Sequence, residues 1–146
     1  MNMKPSEQAA LLAVIDPDQQ AAATVTSAWV DMSKFSAALA LIQTGVLGAS
    51  ATVNAKLEQA TDSGGSGVKD VTGKAITQLV KASNDDDQAQ INCLHDDLDV
   101  AGGFRFVRLS ITVGTAASFV SGSLWGFGPI HGPADKNDLA SVVEIK

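Results

Sequence analysis

The sequence predicts an all-β fold: a single β-sandwich, of jelly-roll kind, carrying extended N- and C-terminal arms. Three observations predict it. The stretch Phe104 to Val113 puts Val107, Leu109, Ile111 and Val113 on one face at period two and Arg108, Ser110 and Thr112 on the other, as a strand with one buried side requires. Seven or eight short segments of this kind recur with Gly-, Asp- and Ser-bearing turns between them, the spacing of a sandwich and not of a helical bundle. Finally, 146 residues with 45% hydrophobic and 18% charged side chains make one domain able to bury a core without metal or disulfide staples.

Taken in order, residues 1–23 form an N-terminal arm or short helix, in which Ser6 could cap a helix reaching Val14 before Asp16-Pro17 stops it. The sandwich domain spans 24–128. Its first strand runs from Thr24 to Met32 with Trp29 in the core, and Asp31 to Lys34 turns the chain. Phe35 to Gly45 favours helix by propensity, but Gly45 and Gly48 bracket it and the next segment alternates cleanly, so it reads as a strand buried on both faces. Thr52 to Ala60 is a strand with one wet face, and Asp62 to Gly67 a flexible loop tip. Val68 to Lys81 supplies two short β segments parted near Gly73, and Ala89 to Leu94 alternates again between acidic turns. Phe119 to Phe127 is the last strand, with Phe119, Ser121, Ser123, Trp125 and Phe127 sharing a face. Residues 129–146 leave the domain as a C-terminal arm with an apolar end.

Charge and cysteine content exclude several classes of function. A net charge of −6 and scattered basic residues leave no electrostatic footprint for a phosphate backbone, so nucleic acid is not a direct ligand. The single Cys93 cannot form an internal disulfide and, beside Ala89 and Ile91 on an alternating face, reads as a small buried apolar residue. No run of 18 or more apolar residues suggests a membrane span, and Met1 to Gln8 lacks the apolar stretch of a secretory signal.

No motif assembles an acid, a base and an oxyanion site, so no enzymatic activity is expected and no catalytic, cofactor or metal residue is assigned. Asp85-Asp86-Asp87 and Asp96-Asp97-Leu98-Asp99 lack the interleaved spacing and distant glutamate of an EF-hand and read as solvated loops. His95 and His131 have no partner at metal-ligand spacing. Cys93 and His95 lie two apart with no orienting group, and Gly64-Gly65-Ser66-Gly67 lacks the lysine and following helix of a phosphate loop. Trp29, Trp125 and the five phenylalanines are assigned to core packing in preference to a sugar-stacking platform.

Four phrases carry a family likeness: Thr24 to Phe35 (TVTSAWVDMSKF), Ala51 to Asp62 (ATVNAKLEQATD), Phe104 to Leu109 (FRFVRL) and Gly132 to Val142 (GPADKNDLASV). Across residues 20–142 the chain resembles a family of small structural proteins encoded in the head genes of tailed bacteriophages and prophages. That resemblance implies a virion component without catalysis, assembled in the host cytoplasm. The expected role is a capsid decoration (cement) protein at the capsid surface, bound to the major capsid protein and self-associating, as a trimer at a lattice axis. Leu11, Leu12 and Ile15 in the first arm and Leu139, Val142, Val143 and Ile145 in the second are the expected contacts. A neck or tail component of the same particle is the near alternative. A lectin-like calcium-dependent module using Trp125 and the acidic loops is the alternative of another class.

Overall fold

Period-two alternation resolves into ten strands in a computed structural model that describes residues 3–146. They are β1 (Ala9–Gln20), β2 (Thr24–Thr26), β3 (Val30–Asp31), β4 (Phe35–Thr44), β5 (Thr52–Ala60), β6 (Lys69–Ala75), β7 (Leu79–Val80), β8 (Gln88–Leu94), β9 (Phe106–Gly114) and β10 (Ser118–Pro129). One sheet has the order β1-β10-β4-β8; the other has β2-β9-β5-β6, with β3 added to β9 and β7 to β5. Every pairing is antiparallel. Each sheet interleaves early and late strands, β10 between β1 and β4 in one and β9 between β2 and β5 in the other, which is the double Greek key of a jelly roll. The expected fold class is therefore the observed one.

The core lies between the sheets. β9 is central in its sheet, and Val107, Leu109 and Ile111 are all fully buried, facing Leu124 and Ile42 of the opposite sheet within one cluster. Small residues on the inner face of β10 let the sheets close. A methyl group at Gly122 would stand 2.6 Å from Leu109 Cδ2 of the facing sheet, and one at Gly126 2.8 Å from the ring of Phe35 on the neighbouring strand β4, so surrounding side chains fill the volume that these glycines leave.

Several expectations are corrected by this packing. The N-terminal region is neither an arm nor a helix to Val14: one helical turn, Pro5–Gln8, leads directly into β1. The Ala/Leu-rich run 9–14 has helical propensity, but antiparallel pairing with β10 overrides it. The sandwich therefore begins at residue 9, not 24. The first predicted strand is two short ones, because Ser27 interrupts them: its N–H donates to Leu109 O, and its hydroxyl accepts from Leu109 N–H at 3.0 Å. Trp29 is half-buried and lies under the Arg108 guanidinium, 4.5 Å from the ring centroid, outside the core. β4 is a strand, as expected, but buried on one face only: Ala38, Ala40 and Ile42 point inward, while Leu39 and Leu41 are half-buried on the other side. β6 continues through Gly73, whose φ of +73° accommodates an irregular register opposite Lys56 and Glu58.

The C-terminal segment also folds back on its own subunit. Residues Ala134–Asn137 form a 3-10 turn whose Ala134 is buried against Ala10 and Phe35. Beyond it, Leu11 N–H donates to Asp138 Oδ1 at 2.7 Å and Leu139 N–H donates to Leu11 O at 3.0 Å. The two expected arms are thus joined to one another at the β1 edge, and only the last few residues stay exposed.

Candidate interaction face on the outer side of one sheet

The two sheets present opposite chemistry to solvent. Along the β2-β9-β5-β6 sheet, outward positions carry charge: Arg108 donates to Glu58 at 2.7 Å, Lys56 pairs with Asp70 at 2.7 Å, and Lys69 pairs with Asp99 at 2.6 Å. Along β1-β10-β4-β8, no lysine, arginine, aspartate or glutamate occurs in β4, β8 or β10, nor in β1 before Asp16.

Strand register fixes what this outer face contains. Cross-strand rows read Ala9, Phe127, Ala37, Leu94, then Leu11, Trp125, Leu39, Asn92, then Val14, Ser123, Leu41, Gln90. Side chains opposite each other on one face of an antiparallel sheet touch, so the apolar members form one continuous patch at the β1 end. With strands about 4.8 Å apart and a rise of about 3.4 Å per residue, four strands and three rows cover about 400 Å², of which the nine apolar positions among the twelve take about 300 Å². That matches the largest apolar patch of an ordinary monomer, which is often functional. Phe127 is 38% exposed and Leu94 58%. The Trp125 indole N–H is satisfied locally, donating to Ser123 Oγ at 3.0 Å.

At the rim a groove of about 510 Å³ forms between Leu11, Trp125, Phe127, Val142 and Ile145. The structure thus gathers three of the expected contact residues, Leu11, Val142 and Ile145, on one surface. The other four are elsewhere. Ile15 is 4% exposed and belongs to the sandwich core, Leu12 packs against Phe35 and Ala10, Leu139 is half-buried beside β1, and Val143 projects to solvent at 94% exposure.

Trp125, Phe127, Leu39, Leu41 and Leu94 are the residues that sequence reasoning missed. The aromatic face of β10, which the sequence groups together and assigns to the core, is the outer face. A signal was present. Gly122 and Gly126 alternate with those aromatics, and a face holding glycines is the one that a neighbouring layer approaches closely.

Three of the six aspartates in the two acidic loops are paired with lysines. Asp85 is held below the usual carboxylate range by the Lys81 ammonium and then by the Leu47 N–H; Asp97 by the Leu94 N–H and then Lys74; Asp99 by Lys69 and then the Gly102 N–H. No group of three or more His, Cys, Asp or Glu suited to a metal gathers among the described residues. Cys93 is fully buried, and burial pushes its thiol up to about 11, so it is not a nucleophile near neutral pH. No helix among the described residues is long and apolar enough to cross a membrane.

No family model and no curated protein matches this sequence. Among solved structures, a chain of the broad bean stain virus cryo-EM structure is similar over 91% of this chain and 96% of its own, at 9% identity and a TM-score of 0.46. A chain of the cowpea mosaic virus empty virus-like particle aligns over 91% and 90%, at 10% identity and a TM-score of 0.45. For a Triatoma virus chain the coverages are 88% and 68%, the identity 9% and the TM-score 0.44. The jelly-roll assignment rests on the strand order itself.

Proposed function

We propose that this protein is a structural component of a virion, a capsid decoration protein that seats the uncharged outer face of its β1-β10-β4-β8 sheet on the major capsid lattice. The observation that carries the reading is that face. A chain of net charge −6 keeps β4, β8, β10 and β1 as far as Ile15 free of charge while its other sheet is laced with ion pairs. Interface cores are depleted in charge and enriched in aromatics such as Trp125 and Phe127. The resemblance of four sequence phrases to head-gene proteins of tailed phages supports the choice of partner.

The size of the patch sets the mechanism. About 300 Å² of apolar surface is less than half of the roughly 800 Å² that each partner contributes to a standard interface. At about 25 cal/mol per Å² it supplies on the order of 10 kcal/mol, comparable with the 4–15 kcal/mol cost of association. One contact is therefore weak, and occupancy follows from self-association into a trimer at a lattice axis, which multiplies contacts without strengthening any of them. Val142 and Ile145 extend the surface at the groove rim.

Copy number in purified particles tests the reading. Quantitative mass spectrometry should give this chain in near-stoichiometric ratio to the major capsid protein. About a dozen copies would move it to a neck or tail ring, and its absence from particles would overturn the virion role.

A further inference from the structure

We infer that the free edge of β8 is a strand-addition site for an extended segment with an uncharged centre and basic residues at both ends. The sandwich has four sheet edges, and three carry devices that stop a further strand from pairing. β1 has register breaks after Leu11 and Ile15, contains Pro17, and is covered at Leu11 by Asp138 and Leu139. The β2/β3 edge is two short strands. The β6/β7 edge is irregular and bears Lys69 and Lys74. These are the usual protections against edge pairing. β8, Gln-Ala-Gln-Ile-Asn-Cys-Leu, has no charge, no proline, no glycine and an unbroken register along β4.

Its outward backbone groups follow from the ladder. Thr44 N–H donates to Asp87 O at 2.8 Å, so residues 87, 89, 91 and 93 bond toward β4 and residues 88, 90, 92 and 94 point the other way. Leu94 N–H is taken by Asp97 Oδ2 at 2.7 Å, which confirms that direction and closes one end. The N–H and C=O of Gln90 and Asn92 remain on the open edge, in exposed residues.

Charge selects the occupant. Exposed Asp86 precedes β8, and Asp96, with a fully exposed side chain, follows it; neither pairs with lysine or arginine among the described residues. A second copy added antiparallel in the register that uses residues 88–94 would set Asp86 against Asp96 at both ends. A strand with lysine or arginine at both ends instead meets opposite charge twice, across about ten residues. This assignment concerns an edge and not the sheet face, so it stands or falls separately from the virion role.

The probe is a synthetic peptide of five alternating threonine and valine residues with two lysines at each end, against the same peptide with glutamates. Binding to the full chain is followed by fluorescence anisotropy and by amide exchange of Gln90 and Asn92. The lysine peptide should slow exchange at both amides and bind at least tenfold more tightly than the glutamate peptide in low salt. Gln90→Pro removes an outward N–H without touching the β4 ladder, and Asn92→Lys adds a repelling charge; each should weaken binding at least tenfold. Failure of the lysine peptide to bind, equal binding of the two peptides, or undiminished binding to Asn92→Lys would overturn the inference. So would a dimer of the unmodified chain in sedimentation that Gln90→Pro abolishes, since the occupant would then be a second copy.

Discussion

Replacing Gly126 by alanine tests whether both terminal segments close onto one subunit. Gly126 faces a small second core of Phe35, Ala10 and Ala134, which draws together β4, β1 and the C-terminal turn. A Cβ there would stand 2.5 Å from Leu12 Cδ1 and 2.8 Å from Cγ and Cδ1 of Phe35. Leu12 can swing its terminal methyl, but Phe35 is 1% exposed and its ring has nowhere to go. Overpacking of this kind costs about 1–3 kcal/mol. Alanine also removes the unfolded-state freedom of glycine, worth about 0.4–1 kcal/mol in the stabilising direction. The expected net loss is about 1–2 kcal/mol, read from equilibrium urea unfolding as a lower midpoint at constant slope. Phe35→Leu alone should cost about 1–2 kcal/mol through lost burial. Combined with Gly126→Ala it should cost less than the sum by about 1 kcal/mol, because the smaller side chain makes room for the new methyl. Additivity within about 0.5 kcal/mol, or stabilisation by Gly126→Ala alone, would refute this packing of the termini.

Trp125→Ser and Leu39→Ser, on the uncovered sheet face, should each change unfolding free energy by less than about 1 kcal/mol while reducing the number of copies retained on particles; a loss of folding instead would make that face part of the core. Arg108→Ala removes both the Glu58 ion pair and the stack on Trp29, and a loss of about 1–2 kcal/mol is expected in urea unfolding. Cys93 should resist a thiol reagent at pH 8 in the native state and react on unfolding; rapid native labelling would contradict its burial. Asp85, Asp97 and Asp99 have folded pKa values lowered by their lysine and backbone N–H partners, so their contribution is present above the unfolded carboxylate value of about 3.9 and is lost as pH falls through the folded values. The melting temperature should drop modestly between about pH 5 and pH 2, and less so in high salt; a rise over that window would contradict the pairing.

Alternation in residues 52–60, 89–94 and 104–113 was enough to predict strands, because a side-chain period of two is written locally in the chain. The same holds for the buried cysteine. Residues 9–14 show where local information stops. Their alanines and leucines favour helix, and only the presence of β10 alongside makes them a strand. Periodicity also sorted the residues of β10 into two faces without indicating which one the second sheet covers. Large aromatics gain most from burial, which favours an inner place for Trp125 and Phe127; the opposite sheet instead packs on Gly122 and Leu124, and the terminal segments close over Gly126.

By itself, then, the sequence determined the all-β class, the approximate strands and the sandwich. Only the tertiary structure decided that the N-terminal segment belongs to a sheet, that the C-terminal segment lies against it, and that the uncharged face looks outward. Alternation is a property of neighbours in the chain, whereas exposure depends on which distant strand lies alongside or above, a choice made by packing among segments more than a hundred residues apart.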